Sequence, residues 1–170
     1  KKQYDGKHGY EILADNTVEE LKHIHAVYDL AKEQGDITDS SYEALEKRWK
    51  DENAERSEKV EKGEVIYGLK EYTFQLYLDY EISTLKEKYC NDTNREGMKL
   101  TEDEIQEHYQ SREWIFGDSD ENADLEMARI AVERELREQK YDDMITQRET
   151  GSQVAGNMEN VNRITLKNIQ

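Results

Sequence analysis

The chain has 170 residues, a charged fraction of 38% against a hydrophobic fraction of 35%, and a formal net charge of −16. That length allows one domain with its own core, but so few apolar residues confine burial to narrow stripes on long helices. The surplus of acid excludes nucleic-acid backbones and anionic lipid surfaces as partners, because both require clustered Lys and Arg.

Proline is absent and there are 9 glycines, which removes the turn chemistry of all-β folds and the signature of a disordered linker. Cys90 is the single cysteine, so neither an intrachain disulfide nor a thiolate metal site can form, and the redox compartment stays open. No apolar run reaches the roughly 18 residues needed to span a bilayer. The chain begins at Lys1 and not at methionine, which leaves room for an upstream leader. The expected fold class is mainly α, with about five helices, several of them long and amphipathic, and a short extended or β C-terminal tail. Residues 1–16 read as an N-terminal arm and 17–170 as a single helical domain.

The arm contains Gly6, Gly9 and the short apolar patch Tyr10 to Leu13, a pattern of loose anchoring. The first helix is predicted from about Thr17 to Gln34. Asn16 or Thr17 caps it, Glu19 or Glu20 supplies the answering carboxylate, and Gly35 ends it. Val18, Leu21, Ile24, His25, Tyr28 and Ala31 form its core-facing stripe. A second helix, about Ser41 to Lys62, carries a thin and partly polar stripe: Tyr42, Leu45, Trp49, Asn53, Arg56 and Val60. Glu43/Lys47, Glu46/Lys50, Glu55/Lys59 and Glu58/Lys62 stand in the acid-first, four-apart order worth about 0.2–0.5 kcal/mol per pair. Gly63 and Gly68 bracket an extended connector, Glu64 to Tyr67.

The connector leads into the most apolar stretch of the chain, predicted as a helix from about Glu71 to Tyr89. At about 100° per residue, Phe74, Tyr77, Leu78, Ile82, Leu85 and Tyr89 share one broad face, while Tyr72, Leu76 and Tyr80 form a second stripe. A helix apolar on two sides is either wrapped by other helices or offers its spare face to a partner. Cys90 to Lys99 form a loop, after which Thr101 caps a new helix ending near Arg112, with Glu104 as the capping-box acid and Leu100 as the staple. Trp114-Ile-Phe116 then makes an aromatic anchor before an acidic loop. The last long helix runs from about Asp124 to Glu149. It carries Leu125, Ala128, Val132 and Leu136 on one stripe and Ile130, Tyr141 and Ile145 on another. In the tail, Val161, Ile164, Leu166 and Ile169 are spaced like a short strand or an extended segment.

Several of these stretches resemble one family. Ile66-Tyr-Gly, Tyr77-Leu-Asp-Tyr80 and Leu100-Thr-Glu-Asp-Glu-Ile-Gln-Glu-His-Tyr109, followed by Arg129, Leu136-Arg-Glu-Gln-Lys-Tyr141 and an extended tail, look like the helical chaperone domain of SurA/PrsA-type foldases. The resemblance spans roughly residues 17–160. It implies an extracytoplasmic protein, in the cell envelope or secreted, that holds unfolded clients and is tethered in many relatives by an N-terminal lipid. Many members carry a parvulin-type prolyl isomerase domain between the two closing helices, but Trp114 to Asp124 is far too short for one. The resemblance therefore implies client holding without isomerase catalysis.

The titratable residues agree with a non-enzymatic role. His23 and His25, two apart on a helix, point to different sides and cannot share a metal; His25 is expected at the core edge. His108 has no nucleophile beside it and reads as a packing residue. Asp118 to Asp124 alternates oxygen ligands like a calcium loop, but Ala123 stands where glycine is needed and Arg129 where a bidentate glutamate belongs. No metal or cofactor is expected. Tyrosine outnumbers phenylalanine 11 to 2, and tyrosine, with its apolar face and polar tip, suits adaptable contact with peptides. Two readings result. In the first, the chain is a chaperone-like holdase taking unfolded or extended polypeptides in an aromatic groove formed by Tyr67, Tyr72, Leu76, Tyr80, Trp114 and Phe116. In the second, it is a structural or adaptor domain whose apolar stripe is a homodimer interface.

Overall fold

Among the described residues, four helices start at a residue whose side chain caps them. The computed structural model describes residues 3–118, 120–152 and 158–168. Ser41, Thr73, Thr101 and Asp124 each accept a hydrogen bond from the backbone N–H three residues on, at the head of α2 (Tyr42–Glu61), α3 (Phe74–Asn91), α4 (Glu102–Gln110) and α5 (Leu125–Gly151). These bonds satisfy donors that the first helical turn leaves unpaired. α4 has the full capping box, because Glu104 Oε2 also accepts from the Thr101 N–H at 2.8 Å. The mainly α class expected from the sequence is what the chain adopts.

α1 (Gly9–Glu33) begins eight residues before the predicted start. Glu11 Oε2 accepts from the His8 N–H at 2.6 Å and fixes the helix entry there, so much of the expected loose arm is helix. Before it, β1 (Gln3–Tyr4) and β2 (Lys7–His8) form an antiparallel hairpin, with Gln3 opposite His8 and Tyr4 opposite Lys7. Asp5 and Gly6 both take positive φ, at 49° and 82°, the conformation that a two-residue hairpin turn demands and that Asp-Gly supplies.

The tail is a correction. Residues 158–168 form the helix α6 (Met158–Asn168), not a strand or an extended segment. Met158, Val161, Asn162, Thr165 and Leu166 are its partly buried positions, whereas Ile164 faces solvent. That spacing of three and four is helical, and α6 lies against α1; reading Val161, Ile164 and Leu166 as one face selected the wrong period. Ile169 lies outside the described residues.

The core has two parts joined by α5. The larger gathers Val27, Tyr28 and Leu30 of α1, Leu45 of α2, Tyr77, Leu78, Leu85 and Tyr89 of α3, Met98, and Tyr141 and Ile145 of α5. Four residues make the smaller part: Ile105 of α4, Trp114, and Ala128 and Val132 of α5. Among the described residues no helix is long and apolar enough to cross a membrane.

A carboxylate sits inside the larger part. Glu81 of α3 is buried and accepts from Tyr28 Oη of α1 at 2.5 Å and from Tyr77 Oη at 2.9 Å. Arg48 of α2 completes the group, with Nε 2.7 Å from Oε1 and Nη2 3.1 Å from Oε2. Burial, reinforced by the neighbouring carboxylate, pushes both tyrosine hydroxyls well above the usual phenol range. A second ionic node ties loops together. Asp36, after α1, receives a two-pronged contact from Arg95 at 2.6 and 2.8 Å and a third from Lys88 at 2.7 Å.

Of the four ion pairs expected along α2, Glu46–Lys50, Glu55–Lys59 and Glu58–Lys62 are present at 2.9, 2.6 and 2.6 Å. Lys47 turns instead to Asp51 at 2.5 Å, having an acid four residues away on either side.

Replacing Glu81 with Ala leaves Arg48 and two hydroxyls without their acceptor and is expected to lower stability by about 3–5 kcal/mol, read from urea unfolding; a loss below about 1 kcal/mol would remove this node from its central place. Acid should act at α4. Its contacts with Lys140, and then with Thr101, hold Glu104 down to about 2, from an ordinary 4.5. A folded-state value below the unfolded one gives stability that is present above about pH 4.5 and lost as the pH falls toward 2. Glu104→Gln should flatten that part of the stability profile, and an unchanged acid limb would refute the assignment.

Candidate protein-docking site

The six residues expected to line one groove come from two separate stretches of the chain. Tyr67, Tyr72, Leu76 and Tyr80 belong to the connector and α3. The connector is pinned to α2 by polar side chains of the second helix. Arg56 Nη1 donates to the carbonyls of Tyr67 and Leu69 at 3.1 and 2.7 Å, and Trp49 Nε1 and Asn53 Nδ2 donate to the Tyr72 carbonyl at 2.7 and 2.9 Å. Asn53 Oδ1 in turn accepts from the Tyr72 N–H at 2.8 Å. These bonds hold Tyr72 extended, and α3 therefore starts at Phe74 instead of Glu71. The polar half of the α2 stripe thus serves to fix backbone.

On α3 the broad face packs inward as its spacing requires: Tyr77, Leu78, Leu85 and Tyr89 are buried, and Phe74 and Ile82 partly so. Phe74 is held between Tyr42 and Trp49, with centroids 5.6 and 5.5 Å away. The second stripe stays outside. Tyr80 stacks on Tyr72 at 5.2 Å, the Arg56 guanidinium covers the Tyr72 ring at 4.6 Å, and Leu76 and Tyr80 are exposed. Tyr72 itself is half-buried, while Tyr67 is 87% exposed.

Trp114 requires a correction. It is only 3% exposed and belongs to the smaller core, so it cannot line a groove. Its indole N–H donates to the Tyr109 carbonyl at 3.0 Å, its own N–H to Asn122 Oδ1 at 2.5 Å, and its carbonyl accepts from the Ala123 N–H at 2.8 Å. Tyr109 Oη closes the set by donating to the Ala123 carbonyl at 2.8 Å. With Trp114 turned inward and the loop tethered at both ends, Ile115 and Phe116 are directed outward, and both are exposed.

Sequence reasoning missed what they meet. Phe116 lines a shallow depression of about 250 Å³ together with Met127, Ile130, Ala131 and Arg134 of α5. Met127 is 71% and Ile130 85% exposed. These α5 positions recur at spacings of three and four, one helical face, and the signal was legible as Met127, Ile130, Ala131 and Arg134. Grouping Ile130 with Tyr141 and Ile145 hid it: the three share a side of the helix by spacing, but Tyr141 and Ile145 are packed into the larger core further along it, whereas Ile130 is exposed. The acidic loop, Asp118 to Asp124, adjoins Phe116 in the chain; Ser119 lies outside the described residues.

The remaining candidates carry no reactive centre. His25 is exposed and not at the core edge, and His23 Nδ1 lies 2.6 Å from Glu149 of α5. His108 meets the Trp114 ring edge-on at 5.9 Å, a packing contact. Cys90 is buried, and burial pushes its thiol up to about 11, away from thiolate reactivity. Among the described residues, no three His, Cys, Asp or Glu side chains are grouped so as to hold a metal.

No family model matches the chain. It is 31% identical over 147 residues to a protein from Bifidobacterium longum subsp. longum named chaperone for lacto-N-biosidase; the match covers 86% of this chain and about half, 52%, of that relative. The fold is similar to part of a crystal structure of native GH136 lacto-N-biosidase from Eubacterium ramulus, with a TM-score of 0.64, 19% identity, and coverage of 85% of this chain and 29% of that one. These similarities overturn the resemblance to SurA/PrsA-type foldases. The stretches that carried it, the Thr101–Glu104 capping box above all, are the start signals of any stable helix, and they are shared without kinship.

Proposed function

We propose that this chain is a chaperone-type helper of a glycoside hydrolase, a non-catalytic helical partner that assists one dedicated client. The observation that carries this reading is the sequence similarity to the chaperone for lacto-N-biosidase, which extends over most of this chain. The fold supports it from a second side, since a like arrangement of helices forms a minor part of a chain named lacto-N-biosidase. A partner of this kind works by docking, whether it is a separate chain or is continuous with the hydrolase.

The surface chemistry suits a folded client better than unfolded segments in general. Adaptable holding of many extended peptides requires one continuous apolar channel, whereas here Trp114 is buried and the exposed aromatic residues stand on stretches whose backbones are fixed by hydrogen bonds. Rigid, preformed faces gain affinity by avoiding ordering costs and favour one complementary surface. No nucleotide is needed; binding energy alone biases the client toward its native state.

The test is complementation. A hybrid of the Bifidobacterium longum chaperone, with this whole chain in place of its matching portion, is co-expressed with that organism's lacto-N-biosidase. The expected result is soluble, active hydrolase within about tenfold of the amount obtained with the unaltered chaperone, a difference of about 1.4 kcal/mol in coupling. Activity no higher than with no chaperone present would overturn the reading.

A further inference from the structure

The geometry points to the face built by Phe116, Met127, Ile130, Ala131 and Arg134 as the docking surface for the folded hydrolase, and to a client surface that is apolar at its centre and bordered by Lys or Arg. This rests on the chaperone reading and names the face through which it acts.

Three observations single out this face. It sets strongly exposed apolar side chains next to one another: Ile130 and Met127 are 85% and 71% exposed on one side of α5 and line one depression with Phe116. Clustered exposed apolar side chains on a monomer mark contact surfaces, unlike the same residues scattered singly. The face is also preorganised. Phe116 sits on a loop tethered through Trp114, Tyr109, Asn122 and Ala123, and the other four side chains stand on a continuous helix, so little order has to be gained on binding.

Charge selects the occupant. Asp118, Asp120, Asp124 and Glu126 are all exposed and lie close to the apolar residues in the chain. Taken as an acidic rim on a molecule of net charge −16, these four carboxylates attract a basic border and speed encounter with it. The same rim disfavours a second copy of this chain, because a twofold pairing on this face sets the acidic loops of both copies around one interface. An unfolded client has no fixed basic border to match.

The test uses the hybrid chaperone and the lacto-N-biosidase already described. Met127→Asp combined with Ile130→Asp changes only exposed positions, so helical content by circular dichroism and the melting temperature should stay within a few degrees of the parent hybrid. Active hydrolase is expected to fall at least tenfold, while Leu21→Asp, a change at a less exposed but still outward position on α1 (48%), leaves it within about twofold. In binding measurements the parent hybrid should lose affinity as salt rises, and Asp118→Asn with Asp120→Asn should flatten that salt dependence. If the parent hybrid sustains the hydrolase and the double aspartate variant does so equally, the proposed face is wrong and the chaperone reading stands. A photo-crosslinker placed at Ile130 that joins two copies of the hybrid, and not the hydrolase, overturns the proposal in favour of a homodimer. Failure of the parent hybrid itself defeats the chaperone reading, and this inference with it.

Discussion

Three helices meet at the Glu81 carboxylate, and their relative placement depends on how that charge is accommodated. A carboxylate out of water is costly unless its lone pairs are taken. Here α1 contributes Tyr28, α2 contributes Arg48 and α3 contributes Tyr77, at distances between 2.5 and 3.1 Å. A rotation or slide of any one helix by an ångström would leave a buried polar group unpaired. Apolar packing tolerates such slides more readily, because one leucine contact replaces another at little cost. The node therefore selects one packing of a core whose stripes are thin, and α2, with Leu45 as its one fully buried apolar side chain, depends on it most.

From that fixed group the rest is arranged outward. Because α2 is oriented by Arg48, its Trp49, Asn53 and Arg56 reach the connector and hold it extended. Because α3 is oriented by Glu81, the Tyr72–Tyr80 stack is left at the surface. α5 then carries the arrangement away from the node. Tyr141 and Ile145 are packed into the larger core, Ala128 and Val132 into the smaller one, and Met127 and Ile130, near the start of the helix, are left exposed. A protein with few apolar residues has in this way kept several of them outside, which implies that their exposure has a use.

The helices were legible where capping chemistry and period agree. Ser41, Thr101 and Asp124 mark their helix starts to within a residue, and the α3 face from Phe74 to Tyr89 packs as its spacing indicates. What failed did so for identifiable reasons. The entry of α1 depends on Glu11 reaching the His8 N–H, and the capping acids sought near Thr17 concealed it. The tail offered four apolar residues compatible with two periods, and contact with α1 chose the helical one. For the site, aromatic character was a poor guide to exposure: Trp114 turns inward to tether its loop, whereas Ile130, grouped by spacing with Tyr141 and Ile145, faces out. Side-chain identity does not say which of two neighbours turns inward; the carbonyls and amides available to the indole decide that. The family resemblance failed on the same ground, since helix-start residues report local physics and carry little ancestry.

The division of the core also has a thermodynamic side. With Ile105, Trp114, Ala128 and Val132 as its buried members among the described residues, the smaller cluster is too slight to be independently stable, and it borrows rigidity from α5, whose far end is anchored in the larger one. Local opening should therefore begin at the α4 end, at a free energy well below that of global unfolding. Amide exchange along α4 and the Trp114 loop would then run ahead of exchange in α3, and anything seated against that end would slow it, so that order spreads from the bound surface back along a single helix toward the centre of the molecule.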